Sequence, residues 1–261
     1  MFKRKYIFSI IILVIVSTIQ SLYFRSIYVN EIEMNAHAYL FYVYAGAISI
    51  DGVFFVPAFT FSLTFFLQLC LFANEIRSDI TIASTYLFTR TKKREIWLFK
   101  HYGRILIQSL FFYILQFAIT FIFALLYNYK FDATKCLCCV LFLLCTVGIC
   151  NTIFTIIAST LSVNSSVSLI TTLFYLAYTV WIVILPLLDL SSAVVSFFPI
   201  TQVLLFLHKD AYAPLGLKVN NPALYTMNTT FLSTSIFVVV TVFLVLIISY
   251  CWINKKNVME E

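Results

Sequence analysis

Long apolar stretches alternate with short polar connections along this chain, and the apolar stretches are the length of membrane-spanning helices. They cover residues 6–24, 53–73, 105–127, 136–161, 167–188 and 231–252, to within a few residues. A helix needs about 20 mostly apolar residues to cross the hydrocarbon core of a bilayer. Barrel strands would instead alternate polar and apolar positions over about ten residues. The pattern predicts an all-α polytopic membrane protein, with residues 1–261 forming a single transmembrane domain of six spans.

Two parts of the pattern need separate interpretation. The first apolar stretch follows three basic residues, and because no small-x-small cleavage motif comes after it, we expect an uncleaved span with its amino end inside. Residues 25–51 then form an external connection. Its second half, residues 39–50, is rich in aromatic residues, so we expect it to lie at the membrane interface or to begin the next helix.

The interval 189–230 is long enough to hide a further span, but the distribution of charge argues against one. Six spans leave twelve Lys and Arg residues on the side of both termini and five on the other side. A seventh span would move Lys255 and Lys256 outside, against the tendency of Lys and Arg to stay in the cytoplasm. Since Pro199 interrupts residues 190–207, we expect a broken helical element there, either re-entrant or interfacial. External turns follow, marked by Pro214, Gly216 and Pro222.

The composition supports this class. The chain is 62% hydrophobic and 11% charged, with a mean hydropathy of +0.99, whereas soluble domains are about 45–50% apolar and about 25% charged. The net charge of +6 comes from basic residues beside apolar stretches, so membrane topology explains it better than nucleic-acid binding does. Abundant Phe and Tyr beside Ile and Lys indicate an AT-rich genome, and we expect the cell membrane of a low-GC Gram-positive bacterium.

The most polar part of the chain is the basic segment 75–104, the expected cytoplasmic connection between the second and third spans. It carries seven basic residues against three acidic ones. Moving each Lys or Arg through hydrocarbon costs roughly 2.5–3.5 kcal/mol on insertion scales, so this segment fixes the orientation of the protein. As a sizeable inner connection it offers a soluble partner a polar surface. The simpler explanation is contact with anionic membrane lipid, worth about 1 kcal/mol per basic residue, and the segment can contact both lipid and a soluble partner.

Several kinds of chemistry are disfavoured. None of the five glycines belongs to a phosphate-binding Gly-x-x-x-x-Gly-Lys-Ser/Thr motif, and no ionisable residue falls in the middle of a predicted span. We therefore expect no enzyme and no ion-coupled carrier. His37, His101 and His208 lie at span boundaries or in connections, and we expect solvated interfacial residues there, not metal ligands. The seven cysteines, including the run at 136–139, fit packing better than metal or disulfide chemistry.

Amide side chains are the main polar groups inside the predicted spans. Hydrogen bonding between helices explains them simply, at about 0.6–2 kcal/mol each. Gln108 and Gln116 also qualify as lining of a substrate path, although a separation of eight residues places them only roughly on one helical face.

The basic segment contains a more specific pattern. Glu75 closes the second span, Arg90 follows 15 residues later beside Thr and Phe, and Lys100 comes ten residues after that. This arrangement resembles the cytoplasmic region of type-2 ABC exporter permeases, and the six spans, inner termini and broken element before the last span agree with it. It is most similar to the small permeases of Gram-positive peptide or bacteriocin export and immunity systems. The chain departs from the family in its short amino end and in carrying Asp79 where many members carry Gly.

The resemblance implies a partner and a set of site residues. In the family, a coupling helix between the second and third spans sits in a groove of a separate ATPase subunit, and here it would lie within residues 79–88. Glu75 and Arg90 would pair at the membrane boundary. The coupling residues implied in this chain are Glu75, Asp79, Tyr86, Phe88, Arg90 and Lys100. No cofactor is expected in this chain, because ATP and Mg²⁺ would be bound by the ATPase.

The expected function is that of a transport permease subunit. It would pair with a second permease chain, identical or related, and export a hydrophobic or amphipathic substrate, such as a peptide or bacteriocin, with energy from the ATPase. The alternative is a non-transporting membrane anchor or sensor subunit that recruits a cytoplasmic protein through the same segment.

Overall fold

The computed structural model describes residues 2–28, 35–44, 55–80, 94–184, 199–203, 208–216 and 230–258. This part of the chain is helical and contains no β-strand, which confirms the all-α prediction there. Its α-helices are α1 (Phe2–Tyr28), α2 (Ala36–Tyr44), α3 (Phe55–Phe72), α4 (Arg94–Leu126), α5 (Ala133–Leu143), α6 (Ile149–Leu161), α7 (Val167–Ile184), α8 (Lys209–Leu215) and α9 (Phe231–Val258).

Helices occupy the described part of every predicted span. Three are long and apolar enough to cross a membrane, namely Ile96–Leu126, Ala133–Leu161 and Phe231–Cys251. Ile10–Ser26 and Val167–Trp181 form shorter apolar helices. On length and composition, the structure therefore supports a membrane protein with several apolar helices.

The long helix Ala133–Leu161 is interrupted by a π-helical turn at Leu144–Gly148, which joins α5 to α6. Its start is fixed by Asp132, whose carboxylate accepts hydrogen bonds from the backbone amides of Thr134 and Lys135. The sequence pattern predicted one continuous helix and gave no sign of the π-turn. Such single turns insert one residue into an α-helix and occur frequently at functional sites.

The helices pack around α3, α4 and α6. Helix α3 lies mainly against α1, α6 and α7, with a smaller contact to α4, and α4 also contacts α1, α2 and α6. By contrast, α9 rests mainly on α6 and leaves most of its apolar side chains exposed, including Leu232, Val239 and Phe243. An exposed apolar helix face of this extent suits contact with lipid.

The helix α2 contains the first part of the stretch 39–50, expected to lie at the interface or to begin the next helix. All nine of its residues are buried, against α1, α4 and α5. Tyr39 donates a hydrogen bond to the carbonyl oxygen of Ser21 at 2.7 Å, and its ring packs against those of Tyr127 and Tyr129. These aromatic side chains find partners on neighbouring helices and bury their surface within the protein. Residues 45–54 lie outside the described part of the chain.

Only parts of the interval 189–230 are described. Pro199–Gln202 forms a 3₁₀-helix, and Thr201, Gln202 and Val203 are buried. The remainder of the expected broken element at 190–207 falls outside the described residues. The expected turn at Gly216 is present: it follows α8 with a φ of +64°, a left-handed conformation that glycine adopts without steric cost and that often ends helices. Pro214, expected in the same turn region, lies instead inside α8, and Pro222 falls outside the described residues.

Candidate functional site

The basic segment begins with a polar cluster at the end of α3. After a turn at Ala73 and Asn74, residues 75–80 are helical and run beside the first turns of α4. Asp79 Oδ2 lies 3.3 Å from His101 Nε2, and Glu75 Oε2 lies 3.8 Å from Arg104 Nε. With the Gln108 amide oriented to satisfy both neighbours, its nitrogen donates to Glu75 Oε1 at 2.9 Å and its oxygen accepts from Arg104 Nε at 3.2 Å. We call these five residues the junction cluster.

Burial makes the contacts of Glu75 more consequential than those of a surface ion pair. Its side chain is only 10% exposed, whereas the Arg104 side chain is 45% exposed. A carboxylate at this depth needs hydrogen-bond donors, because burying it without partners costs several kcal/mol. Gln108 supplies a hydrogen bond, and the Arg104 guanidinium supplies the opposite charge at 3.8 Å. Because the Arg104 side chain is partly exposed, the cluster pairs the buried carboxylate of Glu75 with a guanidinium that solvent can reach.

The same segment is attached to the turn between α6 and α7. Arg77 donates from a terminal guanidinium nitrogen to the carbonyl oxygen of Ser165 at 2.7 Å. Ser162 Oγ donates to the carbonyl oxygen of Ala73 at 2.8 Å. The short turn at residues 162–166 between α6 and α7 therefore does more than connect them. It holds the end of α3 and the helical residues that follow.

A tyrosine one residue from the cluster extends these contacts to the last helix. The Tyr102 hydroxyl lies 2.6 Å from that of Ser249 on α9 and 3.0 Å from that of Thr160 on α6. On the same turn of α4, the His101 ring packs against that of Trp97, with centroids 4.4 Å apart. A movement of the start of α4 would therefore also displace α6 and α9.

Polar contacts continue from the junction cluster into the bundle. Tyr113 donates to Gln68 Oε1 at 2.5 Å and accepts from Asn151 Nδ2 at 2.9 Å. One turn further along α4, Gln116 donates to Thr64 Oγ1 at 3.0 Å and to Gln20 Oε1 at 3.3 Å. Thr120 then bonds with the Tyr44 hydroxyl at the end of α2. The amides expected to hydrogen bond between helices do so at Gln68, Gln116 and Asn151.

The predicted site residues fall into separate groups. Glu75 and Asp79 belong to the junction cluster, and Lys100 is exposed on the adjoining turn of α4. Tyr86, Phe88 and Arg90 lie outside the described residues, as does the expected Glu75–Arg90 pair. Of the two candidates for a substrate path, Gln108 belongs to the junction cluster and Gln116 is fully buried between helices.

Sequence reasoning missed the roles of His101, Tyr102 and Arg104. A signal was available in the spacing of polar residues. Glu75 and Asp79 are one turn apart after the second span, and His101 and Arg104 are about one turn apart before the third. Two antiparallel helices joined by a connection bring such pairs face to face.

The expectation of solvated histidines is wrong. His37, His101 and His208 are 2%, 8% and 0% exposed. The ring of His37 lies 3.1 Å from the carbonyl oxygen of Leu215, His101 pairs with Asp79, and His208 packs against the ring of Phe231. Neighbouring helices cover these positions, which a linear sequence pattern does not show.

The buried cysteines pack against other parts of the bundle. Cys136 and Cys139 are buried, and Cys139 Sγ donates to the carbonyl oxygen of His37 at 3.4 Å. Within the described ranges, no three His, Cys, Asp or Glu side chains come together in a way that could hold a metal ion.

Comparisons with protein-family models, curated proteins and solved structures find no match for this chain. Any assignment of function therefore depends on the residues and contacts described above.

Proposed function

We propose that this protein is the membrane-spanning permease subunit of an ATP-driven exporter, and that the junction cluster is where a separate cytoplasmic ATPase subunit moves it. The chain would cross the cell membrane of a Gram-positive bacterium six times, with both termini in the cytoplasm. A second permease chain, identical or related, would complete the transport path. The substrate would be hydrophobic or amphipathic, such as a peptide or bacteriocin.

One observation carries this proposal: the helical residues 75–80 are attached to several helices at once. Asp79 and Glu75 hold them to α4, and Arg77 holds them to the turn before α7. Tyr102 extends the attachment to α6 and α9. A soluble subunit that pushes on this segment would therefore move most of the bundle. An anchor that only recruits a protein has no need of such attachment.

The charge of the segment supports its cytoplasmic placement. Seven basic residues lie between 75 and 104, and each would cost roughly 2.5–3.5 kcal/mol to insert across the bilayer. The buried carboxylate of Glu75 pairs with Arg104, which directly precedes the third span predicted at residues 105–127. A polar, ordered surface facing the cytoplasm is what a soluble ATPase requires.

The test is reconstitution of the full chain in lipid nanodiscs and proteoliposomes with the ATPase that co-purifies with it in mild detergent. The measurements are ATP hydrolysis and ATP-dependent movement of a fluorescent amphipathic peptide. We expect Glu75→Gln to leave the complex assembled and to lower ATP-dependent transport by at least about fivefold, the lower range of typical coupling energies.

The matched control is Lys130→Gln, which removes an exposed charge in the connection that follows α4 and should leave transport unchanged. An isolated chain that recruits no ATPase would overturn the proposal. A complex that binds ATPase and shows no ATP-dependent transport with any amphipathic probe would identify the non-transporting anchor instead.

A further inference from the structure

Ion pairs and hydrogen bonds join α4 to α3 and to the helical residues 75–80 that follow α3, and they follow a single register from the junction cluster to the centre of the bundle. The pairs are Asp79–His101, Glu75–Arg104, Gln68–Tyr113 and Thr64–Gln116. From one pair to the next, the residue number decreases along α3 by about as much as it increases along α4. Two antiparallel helices in fixed register produce this relation. We call these eight residues the polar seam.

The seam resists sliding of one helix along the other. Gln68, Tyr113 and Gln116 have no exposed surface, and Thr64 is 5% exposed. Displacing α3 by one turn would separate all of these pairs together and leave buried donors and acceptors without partners, which is costly in a low-dielectric interior. Purely apolar helix contacts lack this penalty and permit small sliding movements. The seam therefore favours movement of α3 and α4 as one body.

Tyr113 is the point at which the seam meets α6. Its hydroxyl donates to Gln68 and accepts from Asn151 on α6, so one group joins α3, α4 and α6. Asn151 lies three residues beyond Gly148, the last residue of the π-turn. Gly148 also approaches α4 closely, since an added Cβ there would be 3.5 Å from the Leu110 side chain and 3.8 Å from the Tyr113 ring.

We propose that the polar seam makes α3 and α4 one mechanical unit, and that Tyr113 is the positioning residue that passes movement of the junction cluster to α6. This inference rests on the proposed function, because the movement originates where the ATPase would push. Tyr113 contacts neither substrate nor nucleotide in this scheme. It acts by holding Asn151, and with it the part of α6 beside the π-turn, to the moving pair of helices.

The first test needs no partner protein. Melting temperatures are measured for the full chain in nanodiscs carrying Arg104→Gln, Tyr113→Phe or both. The two positions are nine residues apart on α4, roughly 13 Å along the axis, and substitutions at such separations usually add. If the seam acts as a unit, the loss of one pair already weakens the other. The decrease in melting temperature of the double variant is then smaller than the sum of the two single decreases. An additive decrease overturns the inference.

The matched control removes the same atom elsewhere. Tyr23 on α1 is half-buried and its hydroxyl has no hydrogen-bond partner, so Tyr23→Phe with Arg104→Gln should give additive shifts. Non-additivity in this control as well would show a general softening of the bundle, and would also overturn the inference.

The second test uses the complex with its ATPase. We expect Tyr113→Phe to keep assembly and ATP hydrolysis close to wild type and to lower the amount of peptide moved per ATP at least fivefold, whereas Tyr23→Phe leaves that ratio unchanged. Wild-type transport by Tyr113→Phe overturns the role of Tyr113. Absence of ATP-dependent transport in the wild-type complex would refute the proposed function alone, and the melting cycle would still decide whether the seam is one unit.

Discussion

Ser162 Oγ, on the turn between α6 and α7, lies 2.8 Å from the carbonyl oxygen of Ala73, just beyond the end of α3. The Ser162 side chain is fully buried, and the same oxygen lies 2.8 Å from the carbonyl oxygen of Ser159. The end of α3 carries backbone carbonyls that lack partners within the helix. Ser162 supplies a hydrogen-bond partner for one of these carbonyls, and this contact holds the turn between α6 and α7 against the junction cluster.

The first prediction concerns that hydrogen bond. Ser162→Ala removes a buried donor and leaves the Ala73 carbonyl without it, so the free energy of unfolding should fall by about 1–2 kcal/mol. Ser165→Ala is the control, since Ser165 is exposed and contributes its backbone carbonyl, which the substitution keeps. We expect the control to change stability by no more than about 0.5 kcal/mol. Thermal or denaturant unfolding in detergent measures both, and equal effects would contradict the role of Ser162.

The second prediction concerns the attachment of α9. Much of this helix is exposed and apolar, so the bond between Tyr102 and Ser249 is an unusual polar contact for it. Tyr102→Phe removes the hydroxyl shared with Ser249 and Thr160 and should lower the free energy of unfolding by about 1–2 kcal/mol. Tyr250→Phe removes the same atom from the exposed residue next to Ser249 and should have almost no effect. A comparable loss in both variants would show that α9 is held by other contacts.

The sequence predicted the helices well and the contacts between them poorly. Apolar stretches of about 20 residues predict helices because a chain in hydrocarbon must satisfy its backbone hydrogen bonds internally. The side-chain partners depend on which helix faces which, and periodicity alone does not reveal that. Asp79 and His101 are 22 positions apart, and their contact requires the helical residues 75–80 to run antiparallel to α4.

Two further features were hidden for different reasons. The π-turn at Leu144–Gly148 contains ordinary apolar and small residues, and it arises where α6 must present Asn151 to Tyr113 while α5 packs on α2 and α8. The burial of α2 depends on tyrosines at the end of α4 and beyond it. Both are tertiary effects that override local preference.

The third prediction is a dependence of stability on pH through His208. This residue lies in the connection before α9 and has no exposed surface. Burial lowers its pKa to about 4. The ordinary value is about 6.5, so the unfolded chain takes up a proton that the folded chain refuses. Stability therefore falls as the pH decreases from about 6.5 towards 4, and it should be lower by on the order of 2 kcal/mol at pH 5 than at pH 7 from this residue.

Comparison with a substituted chain isolates this contribution. His208→Gln retains a polar side chain and removes the titration, so its melting temperature should change less between pH 7 and pH 5 than that of the wild type. His37 remains in both proteins, and its pKa is also lowered by burial, so the difference between the two curves reports His208. Parallel curves would show that His208 is already protonated or accessible in the folded protein.

The fourth prediction concerns orientation, on which the proposed function depends. Lys100 lies near the start of α4 and Lys130 lies four residues beyond its end, and both are exposed. The helical part between them, from Lys100 to Leu126, is about 39 Å long. If the basic segment faces the cytoplasm, an amine reagent that cannot cross membranes should label Lys130 in intact cells and leave Lys100 unmodified. After permeabilisation both should react, which shows that exposure does not limit either site. Peptide mass spectrometry reads the two positions separately. Labelling of Lys100 from outside would place the junction cluster on the extracellular face, where no ATPase could reach it, and the transport proposal would fail with its coupling site.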